Sequence, residues 1–235
     1  MPSSRVAPAR TADEDWLAYI YNQLGVSRGR GSALDKLRDR VDFITFNYDR
    51  SLEAWIRHCL INDEGKSSEQ AGEMLRRFRI VHPHGRIGSQ EYGEPVPAKD
   101  LRRAAEELHL IFESNVTEGR EYVEARRLLQ LADDVCFVGF GYHRDNILRL
   151  GISAEWPKGT HRAGIPEEDV LDMERKKIPN VYGTTLGLTK EEIQRAQSHF
   201  EYDIQPQFRP ELNNLTSAKF FRSHEVMDRI LEADS

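Results

Sequence analysis

Val41-Asp42-Phe43-Ile44-Thr45-Phe46-Asn47-Tyr48-Asp49 is followed at once by Arg50-Ser51-Leu52-Glu53. The run from Val41 to Phe46 has the length and the β-branched and aromatic character of a short, mostly buried strand. It hands over directly to the polar residues Asn47 and Asp49. Beyond them Leu52, Trp55, Ile56, Cys59 and Leu60 recur at the spacing of one helical face. Strand, polar turn and helix therefore follow one another without a spacer.

The same pattern returns downstream. Phe78 to His82 reads as a second strand, leading into His82-Pro83-His84-Gly85. A loop with Gly88, Gly93, Pro95 and Pro97 precedes a helix from about Lys99, with Leu101, Ala104, Ala105, Leu108 and Ile111 as its buried stripe. Another amphipathic helix covers about Glu118 to Ala132. Val135 to Phe140 is a third strand, running through Gly139-Phe140-Gly141-Tyr142 into a short helix from Asp145 that ends near Gly151. Asn180 to Thr184 is a fourth, and Thr189 with Glu192 forms a capping box for a helix to about His199. Strands alternating with helices predict an α/β domain with a parallel sheet covered on both faces. Ligands of such sheets bind beyond the carboxyl ends of the strands.

Upstream, residues 1–10 read as a disordered tail, and Thr11 with Glu14 forms a capping box for a helix carrying Trp16, Leu17, Ile20 and Leu24. Gly25 to Gly31 breaks that helix, and a shorter one fits Ala33 to Arg38. Residues 62–73 are polar and read as loop or insertion. The domain is expected to span 11–200, with 201–235 as a C-terminal extension whose final helix docks through Phe220, Phe221, Met227, Ile230 and Leu231.

Bulk properties narrow the function classes. The 235 residues suit one domain, and 39% hydrophobic with 31% charged residues is an ordinary globular composition. The net charge is -6, and the 33 basic residues are interleaved with acids, as in Glu124-Ala125-Arg126-Arg127, so a nucleic-acid partner is not expected. No apolar run approaches the roughly 20 residues of a membrane span, and Met1 to Arg10 carries no apolar export signal. Cys59 and Cys136 lie far apart without metal-ligand spacing. A cytoplasmic location and no disulfide framework are expected.

The residues after each strand have two readings apiece. Asn47 and Asp49 either cap the following helix or take part in chemistry. His82 and His84 form a His-x-His with no acid or cysteine pair at metal spacing, so no metal is expected. Gly139-Phe140-Gly141 either makes a tight turn or lets a ligand approach the backbone. What joins them is their order on one alternating scaffold.

In that order the motifs resemble those of sirtuin-like NAD-binding domains, the kind found in bacterial anti-phage defence proteins that consume NAD. Thr45-Phe46-Asn47-Tyr48-Asp49 resembles the family's Thr-x-Asn-x-Asp segment, His84-Gly85 its His-Gly motif, and Gly139 to Ile147 its later Gly-x-x-x-x-Asp-x-x-Ile segment. The match covers about Asp15 to Thr185. It implies a Rossmann-like sheet and cleavage of the nicotinamide–ribose bond of NAD, with NAD as substrate and no metal. It implies that His84 is the general base, acting on a ribose hydroxyl or on water, that Asn47 binds the nicotinamide-side ribose and holds a water or ribose hydroxyl, and that Asp49 fixes the nicotinamide end or the loop around it. Thr45 and Gly85 would line the same site. Gly139, Gly141 and Asp145 would lie along the dinucleotide, and Gly183 and Thr184 would face the adenosine.

These residue types suit the chemistry. Glycosidic cleavage passes through an oxocarbenium-like sugar. The leaving nicotinamide is neutral, so the site must place a sugar and manage one proton, a task suited to histidine.

The family's opening strand with Gly-Ala-Gly-x-Ser, which cradles the pyrophosphate, has no counterpart before Asn47. Gly25 to Gly31 follows a helix pattern instead. The chain is therefore expected to be an N-terminally incomplete version of the domain, with weak or no turnover by itself. The family's zinc-binding cysteine pairs are also missing, which favours NAD hydrolysis over peptide deacetylation. A homo-oligomer, or a fused or partner domain, fits such a protein. The competing reading is a non-catalytic nucleotide sensor or interaction module.

Overall fold

A computed structural model of the chain describes residues 15–26, 31–86, 119–152, 179–198, 216–223 and 227. Its elements run α1 (Trp16–Val26), α2 (Ala33–Arg40), β1 (Phe43–Ile44), α3 (Ser51–Asn62), α4 (Ser68–Leu75), β2 (Ile80–Val81), α5 (Arg120–Leu131), β3 (Asp134–Phe137), α6 (Arg144–Arg149), β4 (Asn180–Gly183), α7 (Lys190–Ser198) and α8 (Ser217–Ser223). The architecture is mixed α/β. Among the described residues the strands form two separate two-stranded parallel sheets, β1–β2 and β3–β4.

Register pairs Phe43 with Ile80 and Ile44 with Val81, and the Thr45 N–H donates to the Val81 carbonyl at 2.9 Å. In the second sheet Asp134 to Phe137 lie opposite Asn180 to Gly183. The strands are shorter than the apolar runs that announced them. Gly139 marks one boundary: its φ of 61° bends the chain out of extended geometry two residues after the end of β3.

Local chemistry sets most helix starts. The Ser32 hydroxyl accepts from the Asp35 N–H at 3.2 Å while Asp35 accepts from the Ser32 N–H at 3.2 Å, a reciprocal cap for α2. Thr189 and Glu192 do the same for α7, at 3.2 and 2.7 Å. At α1 the described cap is Asp15, whose carboxylate accepts from the Ala18 N–H at 3.0 Å. Residues 62–73 are a correction: they are not all loop, because Ser67 and Gln70 cap α4 reciprocally. Only Ala71 of that helix is buried, so its apolar periodicity is faint.

Among the described residues, two apolar cores result. One gathers Ile20 and Leu24 of α1, Leu34 and Leu37 of α2, Ile56, Cys59 and Leu60 of α3, and Phe220 and Phe221 of α8. Trp16 stacks on Phe221 with ring centroids 5.5 Å apart, so α8 docks on α1. Met227 belongs to the same core, whereas Ile230 and Leu231 lie outside the described residues. The other core gathers Ala125, Leu128 and Leu129 of α5 with Val135, Phe137, Ile147 and Val181. Phe137 is buried and Val138 is partly buried against the first core. The helix expected from Lys99, with Leu101 and Leu108, also lies outside the described residues.

Ile56 is fully enclosed, at 0% exposure. Ile56→Ala is expected to cost about 2–5 kcal/mol, through lost burial and the cavity left behind. Denaturant titration checks this, and a loss below about 1 kcal/mol would mean that the site collapses around the smaller side chain.

Candidate functional site

The carboxyl ends of β1, β2 and β3 meet through aromatic rings. Phe46, just after β1, stands edge-on to the His84 ring at 4.9 Å between centroids and lies 5.3 Å from Phe140, just after β3. Tyr48 faces the His84 imidazole at 6.1 Å and Tyr122 of α5 lies 6.2 Å from it. The segments holding Asn47, His84 and Gly141 are thus neighbours in space. His84 itself is buried, at 3% exposure.

The turn after β2 explains how two histidines so close in sequence face different partners. The Gly85 N–H donates to the His82 carbonyl at 2.9 Å, and Gly85 has φ 81°, a conformation that favours glycine. His84 goes to the rings. His82, also buried, sends Nδ1 to the Asn47 carbonyl at 3.1 Å. Its Nε2 lies 3.4 Å from Glu53 Oε1, and the same oxygen accepts from Arg50 Nε at 2.8 Å. Burial raises the Glu53 carboxyl, but the contacts with His82 and Arg50 outweigh it and hold the group down at about 2.

The exposed residues after β1 show a different pattern. The Asn47 N–H donates to the Thr45 hydroxyl at 3.2 Å, while the Asn47 side chain is in the solvent-exposed part of the loop. Asp49 Oδ1 accepts from the Ser51 N–H at 2.9 Å, an Asx-turn contact one residue before the helix cap at Arg50, and this bond holds its carboxyl below the ordinary range.

Beyond β3, Gly139 and Gly141 are exposed, and a Cβ added to either would meet no heavy atom within 4 Å. The Gly139 N–H donates to Thr184 Oγ1 at 2.9 Å, and the Thr184 N–H donates to the Phe137 carbonyl at 2.8 Å. Thr184 is buried and joins the ends of β3 and β4, and Gly183 is the last β4 residue, opposite Phe137. Tyr142 has φ 50°, a left-handed conformation that a tyrosine rarely adopts. Its hydroxyl donates to the Thr184 carbonyl at 3.2 Å, and its ring lies edge-on to Phe140 at 5.3 Å. Asp145 is half-buried at the start of α6, where its N–H donates to His143 Nδ1 at 3.4 Å.

Arg50 and Glu53 lie in the stretch that resembles the family motif, but no role follows for them or for the ring cluster from sequence alone. Glu53 was detectable in principle, since it shares a helical face with Ile56 and Leu60 and an acid there needs a partner. Among the described residues no group of His, Cys, Asp and Glu is arranged to hold a metal ion, and no helix is long and apolar enough to cross a membrane. Comparison with protein-family models, with curated proteins and with solved structures gives no match.

Proposed function

We propose that the chain carries a sirtuin-like site that cleaves NAD at the nicotinamide–ribose bond. The observation that supports this reading most is the convergence of the segments after β1, β2 and β3 through the Phe46, His84 and Phe140 rings. In the reaction, the bond between ribose C1′ and the nicotinamide nitrogen breaks and its electron pair leaves with neutral nicotinamide. Water adds at C1′, and its proton passes to His84 and then to solvent. The products are nicotinamide, ADP-ribose and one proton. Asn47 holds the ribose or the water, and Asp49 keeps the loop in place from its contact with Ser51. Tyr48, half-buried across one face of His84, is the side chain that moves aside when a ribose reaches the imidazole.

On this reading the two parallel pairs belong to a single Rossmann-like domain in a cytoplasmic protein. Gly139 and Gly141 give the dinucleotide close access to the backbone, with Asp145, Gly183 and Thr184 nearby. The test adds NAD to the 235-residue chain, alone and with a Gly-rich strand fused in front, and follows nicotinamide by mass spectrometry. Slow release by the chain alone and faster release by the fusion are expected. NAD that binds without being cleaved by either form would favour the sensor reading instead.

Gly141→Ala separates ligand approach from folding. Its Cβ has open space and its φ is not left-handed, so thermal stability is expected to stay the same or rise slightly. NAD affinity is expected to fall by roughly tenfold, about 1.4 kcal/mol, because the methyl occupies the path of close approach. Calorimetric titration checks this, and unchanged affinity would remove Gly141 from the site.

A further inference from the structure

We propose that His82 is a positioning residue for Asn47: its ring carries the order of the buried Arg50–Glu53 pair to the loop after β1. This inference rests on the proposed NAD site for its functional meaning, and its structural half can be tested separately.

The geometry fixes the roles of the ring nitrogens. A carbonyl oxygen can only accept, so the 3.1 Å contact to Asn47 requires a proton on His82 Nδ1. The other nitrogen faces Glu53 Oε1 at 3.4 Å, longer than a well-formed hydrogen bond; a carboxylate can only accept, so Glu53 orients the ring through an N–H turned toward it. Arg50 locks that carboxylate through a charge-assisted bond of 2.8 Å. The His82 and Glu53 side chains are each 4% exposed and Arg50 is 7% exposed, so solvent does little to screen the relay.

The relay ends at the Asn47 backbone, between the Phe46 and Tyr48 rings that pack on His84. Asn47 is exposed, and its N–H donates to the neighbouring Thr45 hydroxyl. The bond from His82 spans 35 positions of sequence and ties this loop to the body of the fold. An Asn47 that must place a sugar or a water needs its backbone fixed in this way, because orientation accounts for much of such a group's effect. His84 packs on the rings either side of Asn47, whereas the bond to the Asn47 carbonyl comes from His82.

The experiment compares two amide substitutions in the full chain. In His82→Asn the side-chain NH2 takes the place of Nδ1 and can still donate to the Asn47 carbonyl. In His82→Gln it takes the place of Nε2 and faces Glu53 instead. NMR order parameters of the amides from Phe46 to Tyr48 report the tether. They are expected to stay near the rigid value of about 0.85 in His82→Asn and to fall toward about 0.6 in His82→Gln. Nicotinamide release is expected to stay within about threefold in the first and to drop about tenfold or more in the second, mainly in kcat. A purely structural histidine would give parallel losses of stability and activity in both variants. Equal order parameters in the two variants, or no change in either, would overturn the proposal. If the unaltered chain and the fusion release no nicotinamide, the NAD reading fails, while the order parameters still decide whether His82 tethers the loop.

Discussion

Glu53→Ala is expected to cost about 3–5 kcal/mol of folding free energy, the range for breaking a buried ion pair from one side. Arg50 would keep its charge at a site where its side chain is 7% exposed, and His82 would lose the carboxylate 3.4 Å away. Denaturant midpoints for the altered and unaltered chains give the number. Asp39→Ala is the control. Asp39 pairs with Arg38 at 2.8 Å on the surface, and an exposed pair contributes about 0–1 kcal/mol. A loss at Glu53 no larger than at Asp39 would mean that the buried relay does not hold the fold.

The same carboxylate predicts a pH dependence. Glu53 sits at about 2 in the folded chain, below the ordinary glutamate value of about 4.3. A depressed acid binds fewer protons folded than unfolded, so its contribution is complete above the unfolded value. It is lost as pH falls from about 5 toward 2, and amounts to about 3 kcal/mol at most. Glu53→Ala should therefore flatten the acid limb of the stability profile. An unaltered acid limb would contradict the depressed carboxylate.

Much of the fold is legible in short-range chemistry. The Thr189–Glu192 capping box, the Leu52-to-Leu60 stripe and the apolar runs ending at Asn47, His82 and Gly139 all announce their elements, because each signal lies within one turn or one strand. Pairing of strands is different. That β1 joins β2 while β3 joins β4 depends on contacts between distant residues, which a periodicity cannot encode. The α4 helix was hidden by its polarity, with Ala71 alone buried.

The candidate site shows the same division. Placing Asn47, His84 and Gly141 at strand ends follows from strand-then-polar patterning. The direction of each side chain does not. His82 and His84 are separated by one proline, yet one reaches Glu53 and the other a ring cluster, because the turn closed by Gly85 rotates the chain between them. The left-handed Tyr142 was equally out of reach, since nothing local marks a tyrosine for that conformation. It is held by its bond to the Thr184 carbonyl and by the neighbouring rings.

His84→Ala carries the largest expected effect on activity. Removing a general base lowers a rate by about 10²-fold or more, and Asn47→Ala should be similarly damaging because a misplaced sugar forfeits its orientation. The most direct measurement is the initial rate of nicotinamide release from NAD by the chain and its strand-bearing fusion, each with and without His84→Ala. Circular dichroism would confirm that the variant stays folded. Nicotinamide and ADP-ribose are expected in equal amounts from the strand-bearing fusion, at a rate about 10²-fold lower without His84, with weak or no release from the chain by itself. Equal rates from the fusion with and without His84, or no nicotinamide from the fusion, would contradict this reading.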